Sequence, residues 1–189
     1  LHGFDSTDGE EIFAYMPGLA ITGFYSERVK QLLSTNYAHR FTVDLSVAVN
    51  DVYMDVDRRA NTLGADKDWA TVLIGGFRGG AKGYFALDVT DPDAITEANA
   101  ANVAMWEFSD VDDIRTLDGD GNTVLDENGQ PASDVGYSYS QPTIAMSNAK
   151  DLTDPVDDRN NRWISIFGNG YNSSGGRASL FATFLDGGT

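Results

Sequence analysis

The chain has 189 residues, with 13 Lys and Arg against 29 Asp and Glu, so its formal net charge at pH 7 is −16. This balance argues against a general nucleic-acid binder, because phosphate backbones require clustered basic side chains. Hydrophobic residues form 41% of the chain, enough for a buried core. No apolar run approaches the roughly 18 residues of a membrane helix, and the lack of cysteine excludes disulfides and zinc thiolate sites.

Glycine and aromatic residues are frequent (20 Gly, 10 Phe, 8 Tyr and 3 Trp) and proline is scarce, with 5 residues, which is typical of a turn-rich β protein. The sequence begins at Leu1 with neither an initiator methionine nor a signal-type apolar stretch. We therefore expect it to be a domain slice of a longer protein.

Strands are predicted where apolar and polar residues alternate and where β-branched or aromatic residues are enriched. An N-terminal run over residues 3–15, with an Asp-Gly turn before Ile12 and Phe13, resembles the end of one repeating unit. The seven clearest runs after it are residues 46–53, 69–75, 83–89, 103–108, 141–147, 162–167 and 178–185.

The last three runs repeat the first three in the same order. In each copy the second strand ends in a glycine turn and the third ends in Leu-Asp, at Asp88 and at Asp186. Short strands in groups of about four, with Asp-rich turns, are typical of β-propeller blades. The predicted fold class is therefore all-β: about two four-stranded antiparallel blades, part of another, long loop insertions and one short helix, as a fragment of a larger propeller.

We expect one partial propeller domain over residues 1–189. Its predicted parts are a blade end (1–16), a helical linker (17–40), a blade (41–110), an Asp-rich insertion (111–135) and a second blade (136–189). Because two blades cannot close a ring, the outer strands are expected to expose unpaired edges that favour self-association. In the linker, apolar residues recur at helical spacing, which predicts a short helix that packs on the rim, with a partner-binding helix as the alternative.

The sharpest chemical motif lies in the Asp-rich insertion, over residues 118–126. Side-chain oxygens at positions 1, 3, 5 and 9, with a backbone carbonyl at position 7, suit a hard cation that takes about six to eight oxygen ligands. The predicted calcium ligands are Asp118, Asp120, Asn122, the carbonyl of Val124, and Asp126. Position 12 is Gly129 instead of the bidentate Glu of an EF-hand loop. The turn signals at residues 120–121 and 128–129 equally favour a plain β-hairpin, and both interpretations are compatible.

The remaining candidates favour structural roles. A second acidic cluster is interpreted as a solvated loop, and the Gly-rich segment 75–83 as a turn between strands, since no helix follows it to bind a phosphate. His2 and His39 have no partners for a catalytic triad or a two-His metal site, and His39-Arg40 is expected to contact Asp44. Strand aromatics are expected to pack between blades: Trp69, Trp106, Trp163, Tyr84, Phe85 and Phe181. The acidic cluster is Asp151, Asp154, Asp157 and Asp158.

Seven strings, in order along nearly the whole chain, resemble the C-terminal propeller of the PilY/PilC family. They are LHGFD (1–5), GEEIFAY (9–15), YAHRFTVD (37–44), GYFALDVT (83–90), WEF (106–108), GYSYSQP (136–142) and FGNGYNS (167–173). The resemblance implies a surface-exposed or pilus-tip protein of type IV pili, located at the cell surface, outside the cell or on the periplasmic side of the outer membrane. It implies roles in pilus assembly, retraction control, adhesion and twitching motility, and calcium binding through Asp-rich loops. The implied partners are pilus proteins such as minor pilins, or surface ligands.

Two functions follow from these observations. The leading hypothesis is a non-enzymatic propeller module of a PilY-like protein, calcium-modulated and acting through protein contacts. The alternative is a pyrroloquinoline-quinone-dependent dehydrogenase-like propeller enzyme, because that class also uses propellers with Asp-Gly turns and strand-end Trp residues. Two blades cannot enclose such a cofactor, so no catalytic or cofactor-binding residue is assigned.

Overall fold

The computed structural model describes residues 1–22, 26–55, 67–113, 117–148 and 162–186. Nine strands among these residues form three antiparallel sheets of two, four and three strands, and each strand pairs with its neighbour in sequence. The first sheet is β1 (His2–Phe4) and β2 (Glu11–Ala14); the middle sheet is β3 (Ala48–Asp55), β4 (Lys67–Gly76), β5 (Gly83–Asp88) and β6 (Ala104–Ser109); the third sheet is β7 (Thr143–Met146), β8 (Trp163–Gly168) and β9 (Leu180–Phe184). The antiparallel sheets confirm the all-β prediction.

The helical segments are short and depart from the single predicted helix. They are α1 (Gly18–Ile21), α2 (Ser26–Lys30), α3 (Ala100–Val103), and three 3-10 turns at Gln31–Leu33, Pro92–Ala94 and Glu97–Asn99. Val29 packs against the core, but Leu33 is 90% exposed, so the apolar stripe of this region does not face the sheet along its whole length. No helix within the described ranges is long and apolar enough to span a membrane.

Each of the seven later predicted runs overlaps one observed strand, with shifted ends. The hairpin of β3 and β4 extends to Asp55 and Lys67, beyond the facing ends of the predicted runs 46–53 and 69–75. Residues 56–66 of that insertion and residues 149–161 of the insertion between β7 and β8 lie outside the described residues. In the described part of the chain, the third sheet has three strands where a four-stranded blade was predicted.

One face of the middle sheet packs against the first sheet and α1. Leu73 pairs with Leu87, and Gly75 pairs with Phe85, so these four residues lie on the same face of the sheet. A Cβ at Gly75 would lie 2.3 Å from the ring of Phe85, which therefore covers the glycine directly. The first sheet repeats this arrangement, because the ring of Phe13 covers its paired Gly3. Aromatic cover of a strand glycine restores the packing that the missing side chain would supply.

The opposite face of the middle sheet packs against the third sheet. Val72, Ile74 and Ala86 are fully buried there, together with Leu185 from the end of the third sheet. The ring of Tyr84 lies 4.0 Å, centroid to centroid, from that of Phe167 in β8. Because both faces of the middle sheet are covered, five consecutive residues of β5 are buried, which explains its near-continuous apolar sequence.

A single carboxylate fastens the first sheet and α1 to β6. Glu107 accepts hydrogen bonds from the hydroxyl of Tyr15 at 2.6 Å and from the backbone N–H groups of Gly18 at 2.7 Å and Leu19 at 3.2 Å. The N–H groups at the start of a helix have no partner within the helix, and this carboxylate supplies one. Burial, followed by the bond to Glu107, raises the pKa of the Tyr15 hydroxyl, which keeps it protonated as a donor.

Residues 136–140, which we call the strap, join the middle and third sheets. The buried hydroxyl of Ser138 accepts hydrogen bonds from the N–H groups of Phe77 at 2.9 Å and Arg78 at 3.1 Å. At the other end of the strap, Ser140 accepts a bond from the N–H of Gly168 at 2.9 Å. The carbonyl of Ser140 also accepts a bond from the hydroxyl of Tyr84 at 2.9 Å. The strap thus holds both the β4–β5 and the β8–β9 turns.

We expect Ser138→Ala to lower the free energy of unfolding by about 1–3 kcal/mol, because two N–H donors lose their buried acceptor. Denaturant unfolding followed by tryptophan fluorescence measures this change. The matched control is Ser46→Ala, at an exposed serine, for which we expect a change within about 0.5 kcal/mol. Equal unfolding midpoints for the two variants would contradict the role of the strap.

Candidate functional site

The Asp-rich segment 118–126 begins with a tight turn organised by its first residue. The carboxylate of Asp118 accepts hydrogen bonds from the backbone N–H groups of Asp120 at 2.9 Å and Asn122 at 2.8 Å. The N–H of Asp118 donates to the carbonyl of Asn122 at 2.9 Å. Gly121 has φ +83°, which glycine adopts at little steric cost. Aspartate commonly closes a turn in this way, by accepting hydrogen bonds from backbone N–H groups that follow it in the chain.

The same turn is repeated immediately afterwards. The carboxylate of Asp126 accepts from the N–H groups of Asn128 at 2.8 Å and Gln130 at 2.9 Å, and Gly129 has φ +73°. Each turn is flanked by an isolated antiparallel bridge, Leu117 with Thr123 and Leu125 with Pro131. We call residues 118–122 and 126–130 the tandem turns. Their glycines occupy the turn positions that the hairpin interpretation predicts.

The predicted calcium ligands are divided between the two turns and, at Val124, the residues that join them. Asp118 and Asn122 are adjacent, with the side-chain amide of Asn122 3.3–3.4 Å from both carboxylate oxygens. The carbonyl of Val124 accepts the N–H of Ala132 at 2.8 Å, and Asp126 closes its own turn. Across the described residues, no group of three or more His, Asp or Glu side chains is close enough to hold a metal ion. Calcium binding by Asp118, Asp120, Asn122, Val124 and Asp126 stays a prediction.

Hydrogen bonds lower the pKa of both turn-forming aspartates. For Asp118 the main cause is the backbone N–H of Asn122, followed by the side-chain amide of the same residue. For Asp126 the main cause is the backbone N–H of Gln130. Donors directed at a carboxylate favour its ionised form. Both carboxylates are therefore ionised at neutral pH, the state in which they close the turns.

The other sequence candidates have structural partners or lie outside the described residues. His39 contacts the hydroxyl of Tyr37 at 3.5 Å. The expected contact of His39-Arg40 with Asp44 is wrong, because Arg40 donates to Gln31 at 2.8 Å and the contact recorded for Asp44 is with Arg78, at 3.9 Å. Segment 75–83 is the expected turn between antiparallel strands. The acidic cluster at residues 151–158 lies outside the described residues.

Most of the named strand aromatics pack between sheets as expected, and one does not. Tyr84 and Phe85 are buried. Trp106 and Trp163 pack against the buried residues between the middle and third sheets. Trp69 is 60% exposed, and its ring lies 5.7 Å from that of its cross-strand partner Tyr53. The interpretation of Trp69 as a buried inter-sheet residue is therefore wrong.

Two tyrosines of the strap and one of the β8–β9 turn form an aromatic group that is absent from the predicted site residues. The rings of Tyr137 and Tyr139 lie 5.4 Å and 5.2 Å from the ring of Tyr171. Arg78 lies over the ring of Tyr139, and Lys82 over that of Tyr137. The available signal was the alternation Gly-Tyr-Ser-Tyr-Ser in the strap, since side chains two positions apart in a strand-like segment share one side.

Comparison with known proteins connects this arrangement of stacked sheets and rim turns to one family. The family model described as the PilY1 beta-propeller domain matches residues 1–188. The chain belongs to the PilY1 β-propeller domain family. This assignment confirms the resemblance and the predicted fold class, and the three open sheets are consistent with a fragment of a propeller.

Curated relatives of this PilY1 β-propeller domain match nearly the whole chain. The type IV pilus biogenesis factor PilY1 of Pseudomonas aeruginosa (strain PAO1) is 35% identical over 190 residues, which cover 98% of this chain and 12% of the relative. A type IV pilus biogenesis factor PilY1 homolog of Xylella fastidiosa (strain Temecula1) is 33% identical over 187 residues, covering 98% of this chain and 9% of the relative. The chain therefore spans a small part of the length of these relatives. No solved structure matches it.

We expect Asn122→Ala to raise the pKa of Asp118 towards the ordinary value, because it removes one of the donors that lower it, while leaving the pKa of Asp126 unchanged. Titration of the carboxyl carbons by NMR measures both values in one sample. A carboxyl whose pKa is lowered on folding stabilises the folded state above its unfolded pKa, and this contribution is lost as the pH falls through the folded-state pKa. If the pKa values of Asp118 and Asp126 rose together, the idea that each turn is closed independently of the other would be contradicted.

Proposed function

We propose that the protein is a non-enzymatic β-propeller module that serves type IV pilus biogenesis by contacting other proteins. The observation that carries this proposal is the match of residues 1–188 to the PilY1 beta-propeller domain. The relatives reported above are all named as type IV pilus biogenesis factors, and none supports the dehydrogenase alternative. The proposed partners are pilus proteins, including minor pilins, or surface ligands, and the proposed location is the cell surface or the pilus.

A role in protein contacts is supported by the difference between the sheets, which bury their apolar side chains, and the connecting turns, which expose aromatic ones. The sheets bury apolar side chains against one another, as the interface of Ile74 and Ala86 with Leu185 shows. The connecting turns carry exposed aromatic residues, among them Phe41 and Tyr171, which are 52% and 58% exposed. Loops carried on a rigid scaffold are where binding residues concentrate, and exposed apolar patches commonly mark protein contacts.

The experiment is a deletion, in the native host, of the coding sequence for residues 1–188 within the full-length gene. We expect fewer surface pili, measured by electron microscopy and by immunoblotting of sheared pilin, with recovery when the intact sequence is restored. The control is the Ser46→Ala allele, which we expect to leave piliation unchanged. Unchanged pilus number and twitching after the deletion, with the remaining protein present at its normal level, would contradict the proposal.

We further propose that the segment 118–126 binds calcium and that the ion modulates the module. The support is the ligand pattern together with two ionised carboxylates, those of Asp118 and Asp126, whose pKa values are lowered by turn hydrogen bonds. The amide of Asn122 lies next to Asp118 and could rotate to present its oxygen, since the oxygen and nitrogen of an amide exchange positions on a flip. Oxygen donors of these types are the ones calcium prefers.

Calcium titration by calorimetry tests this site. We expect binding heat with the intact chain and none with the double variant Asp118→Ala, Asp120→Ala, because a hard cation loses two of its oxygen ligands. The matched control is Asp8→Ala, which removes another aspartate that accepts a turn N–H, that of Glu10 at 2.9 Å. Heat that persists in the double variant, or no heat with the intact chain, would contradict a calcium site at residues 118–126.

A further inference from the structure

Three tyrosines on the rim form a continuous series of ring contacts, which we call the tyrosine row. Its members are Tyr137, Tyr171 and Tyr139, with ring centroids 5.4 Å and 5.2 Å apart and ring planes inclined by 40–42°. Tyr139 and Tyr171 are 43% and 58% exposed. The neighbouring side chain of Tyr139 raises the pKa of the Tyr171 hydroxyl. Neighbouring contacts fix the rings, so little side-chain entropy remains to be lost on binding.

A cation lies at each end of the tyrosine row. The guanidinium carbon of Arg78 is 5.4 Å from the centroid of Tyr139, and the ammonium nitrogen of Lys82 is 5.8 Å from that of Tyr137. Both distances are within the range of a cation–π interaction. Both cations belong to the β4–β5 turn, which Ser138 of the strap holds in place. The backbone that carries the two charges is therefore held by the fold.

Arg78 and Lys82 differ from four other cationic residues in the hydrogen bonds that their side chains donate. Four other cationic side chains donate hydrogen bonds within the chain: Lys30 to Glu27, Arg40 to Gln31, Arg162 to Asp186 and Arg177 to Asp134. Arg78 and Lys82 donate none to the described residues. Their nearby acidic groups are Asp44, 3.9 Å from Arg78, and Asp110, where the charge of Lys82 partly offsets the rise in pKa that burial causes. Their N–H donors are thus available to an acceptor outside the chain.

The chemistry of the row favours a partner rich in carboxylates. A guanidinium with unused donors matches a carboxylate as a two-pronged fork, and an ammonium binds it as a point charge. The edges of aromatic rings carry partial positive charge, so the exposed Tyr edges also favour acceptors. The net charge of −16 does not prevent such binding, since exposed charges beyond about 8 Å are largely screened at physiological ionic strength.

We propose that the tyrosine row, with Arg78 and Lys82, is a docking surface for an acidic segment of a partner protein. Carboxylates of the segment bind the two cations, and the rings of Tyr139 and Tyr171 contact the chain between them. The inference rests on the proposed role in protein contacts and adds the place and the chemistry of one contact. Tyr and Arg are the residue types that most often carry the binding energy of such surfaces.

The test is an NMR titration of the isotope-labelled full chain with a peptide of alternating Glu and Ala. A matched peptide of alternating Gln and Ala serves as the uncharged probe. We expect the acidic peptide to shift backbone signals of the strap and of the β4–β5 turn, and the Gln peptide to leave them in place. Raising the salt concentration is expected to weaken the binding, because both cations are exposed to solvent.

Variants separate the row from general electrostatics. We expect the double variant Arg78→Gln, Lys82→Gln to weaken acidic-peptide binding at least about tenfold, because charge-assisted hydrogen bonds are lost. Lys30→Gln removes an exposed cation elsewhere and is expected to leave the affinity unchanged. The spectrum of each variant without peptide reports whether the fold is retained.

Three outcomes would overturn the docking surface. They are no shift with the acidic peptide, equal affinity of the double variant, and equal shifts at the row with the Gln peptide or with a neutral oligosaccharide such as cellohexaose. None of these outcomes bears on the deletion experiment, which measures pili. Loss of pili on deletion without peptide binding at the row would leave the proposed function standing and remove only this surface.

Discussion

Two N–H groups of the β4–β5 turn, those of Phe77 and Arg78, are held by one buried oxygen, the hydroxyl of Ser138. The same hydroxyl lies 3.3 Å from the carbonyl of Ala81, to which it donates, so three backbone groups of the turn depend on one side chain. In a buried site these groups have no water to replace it. The strap also contacts the third sheet through Ser140. The hydrogen bonds of the strap therefore connect the turns of the two sheets.

Close backbone approach makes the strap possible. A Cβ at Gly136 would lie 2.4 Å from the carbonyl oxygen of Tyr171, and one at Gly170 would lie 1.8 Å from that of Tyr137. Gly170 also has φ +70°, a conformation that residues with a Cβ rarely adopt. The strap and the β8–β9 turn therefore fit together only where both segments lack side chains. The side-chain amide of Asn169 completes this contact by donating to the carbonyl of Asp134 at 3.0 Å.

Local patterns were sufficient to predict the strands, because alternation and β-branched residues are properties of a few neighbouring positions. The rim was harder to predict, since the role of Ser138 depends on residues some sixty positions earlier in the chain. The apolar periodicity of residues 17–40 predicted one helix, but the chain forms short turns, and Glu107 from a distant strand holds the start of α1. Trp69 was misassigned because sequence shows an aromatic strand residue without showing what covers it.

The Asp-rich segment shows a related limit of motif reasoning. A pattern of acidic residues at alternate positions matches both a cation loop and a series of aspartate-closed turns, because each uses carboxylate oxygens next to glycine. In the structure the oxygens of Asp118 and Asp126 accept backbone N–H groups of their own turns. A cation at this segment would therefore compete with hydrogen bonds that already stabilise the turns. The free energy lost with those bonds cannot be read from the sequence motif.

The alternation within the strap combines stability and recognition in five residues. Ser138 is buried and Tyr139 is 43% exposed, because successive residues of an extended segment point to opposite sides. The serine hydroxyls bind the turns of two sheets, while the two tyrosines that alternate with them face the rim. Any change that loosens the buried side also moves the exposed rings, since both share one backbone. A surface built in this way keeps its geometry only while the sheets stay stacked, which makes the packing of the propeller a condition for the contacts proposed at its rim.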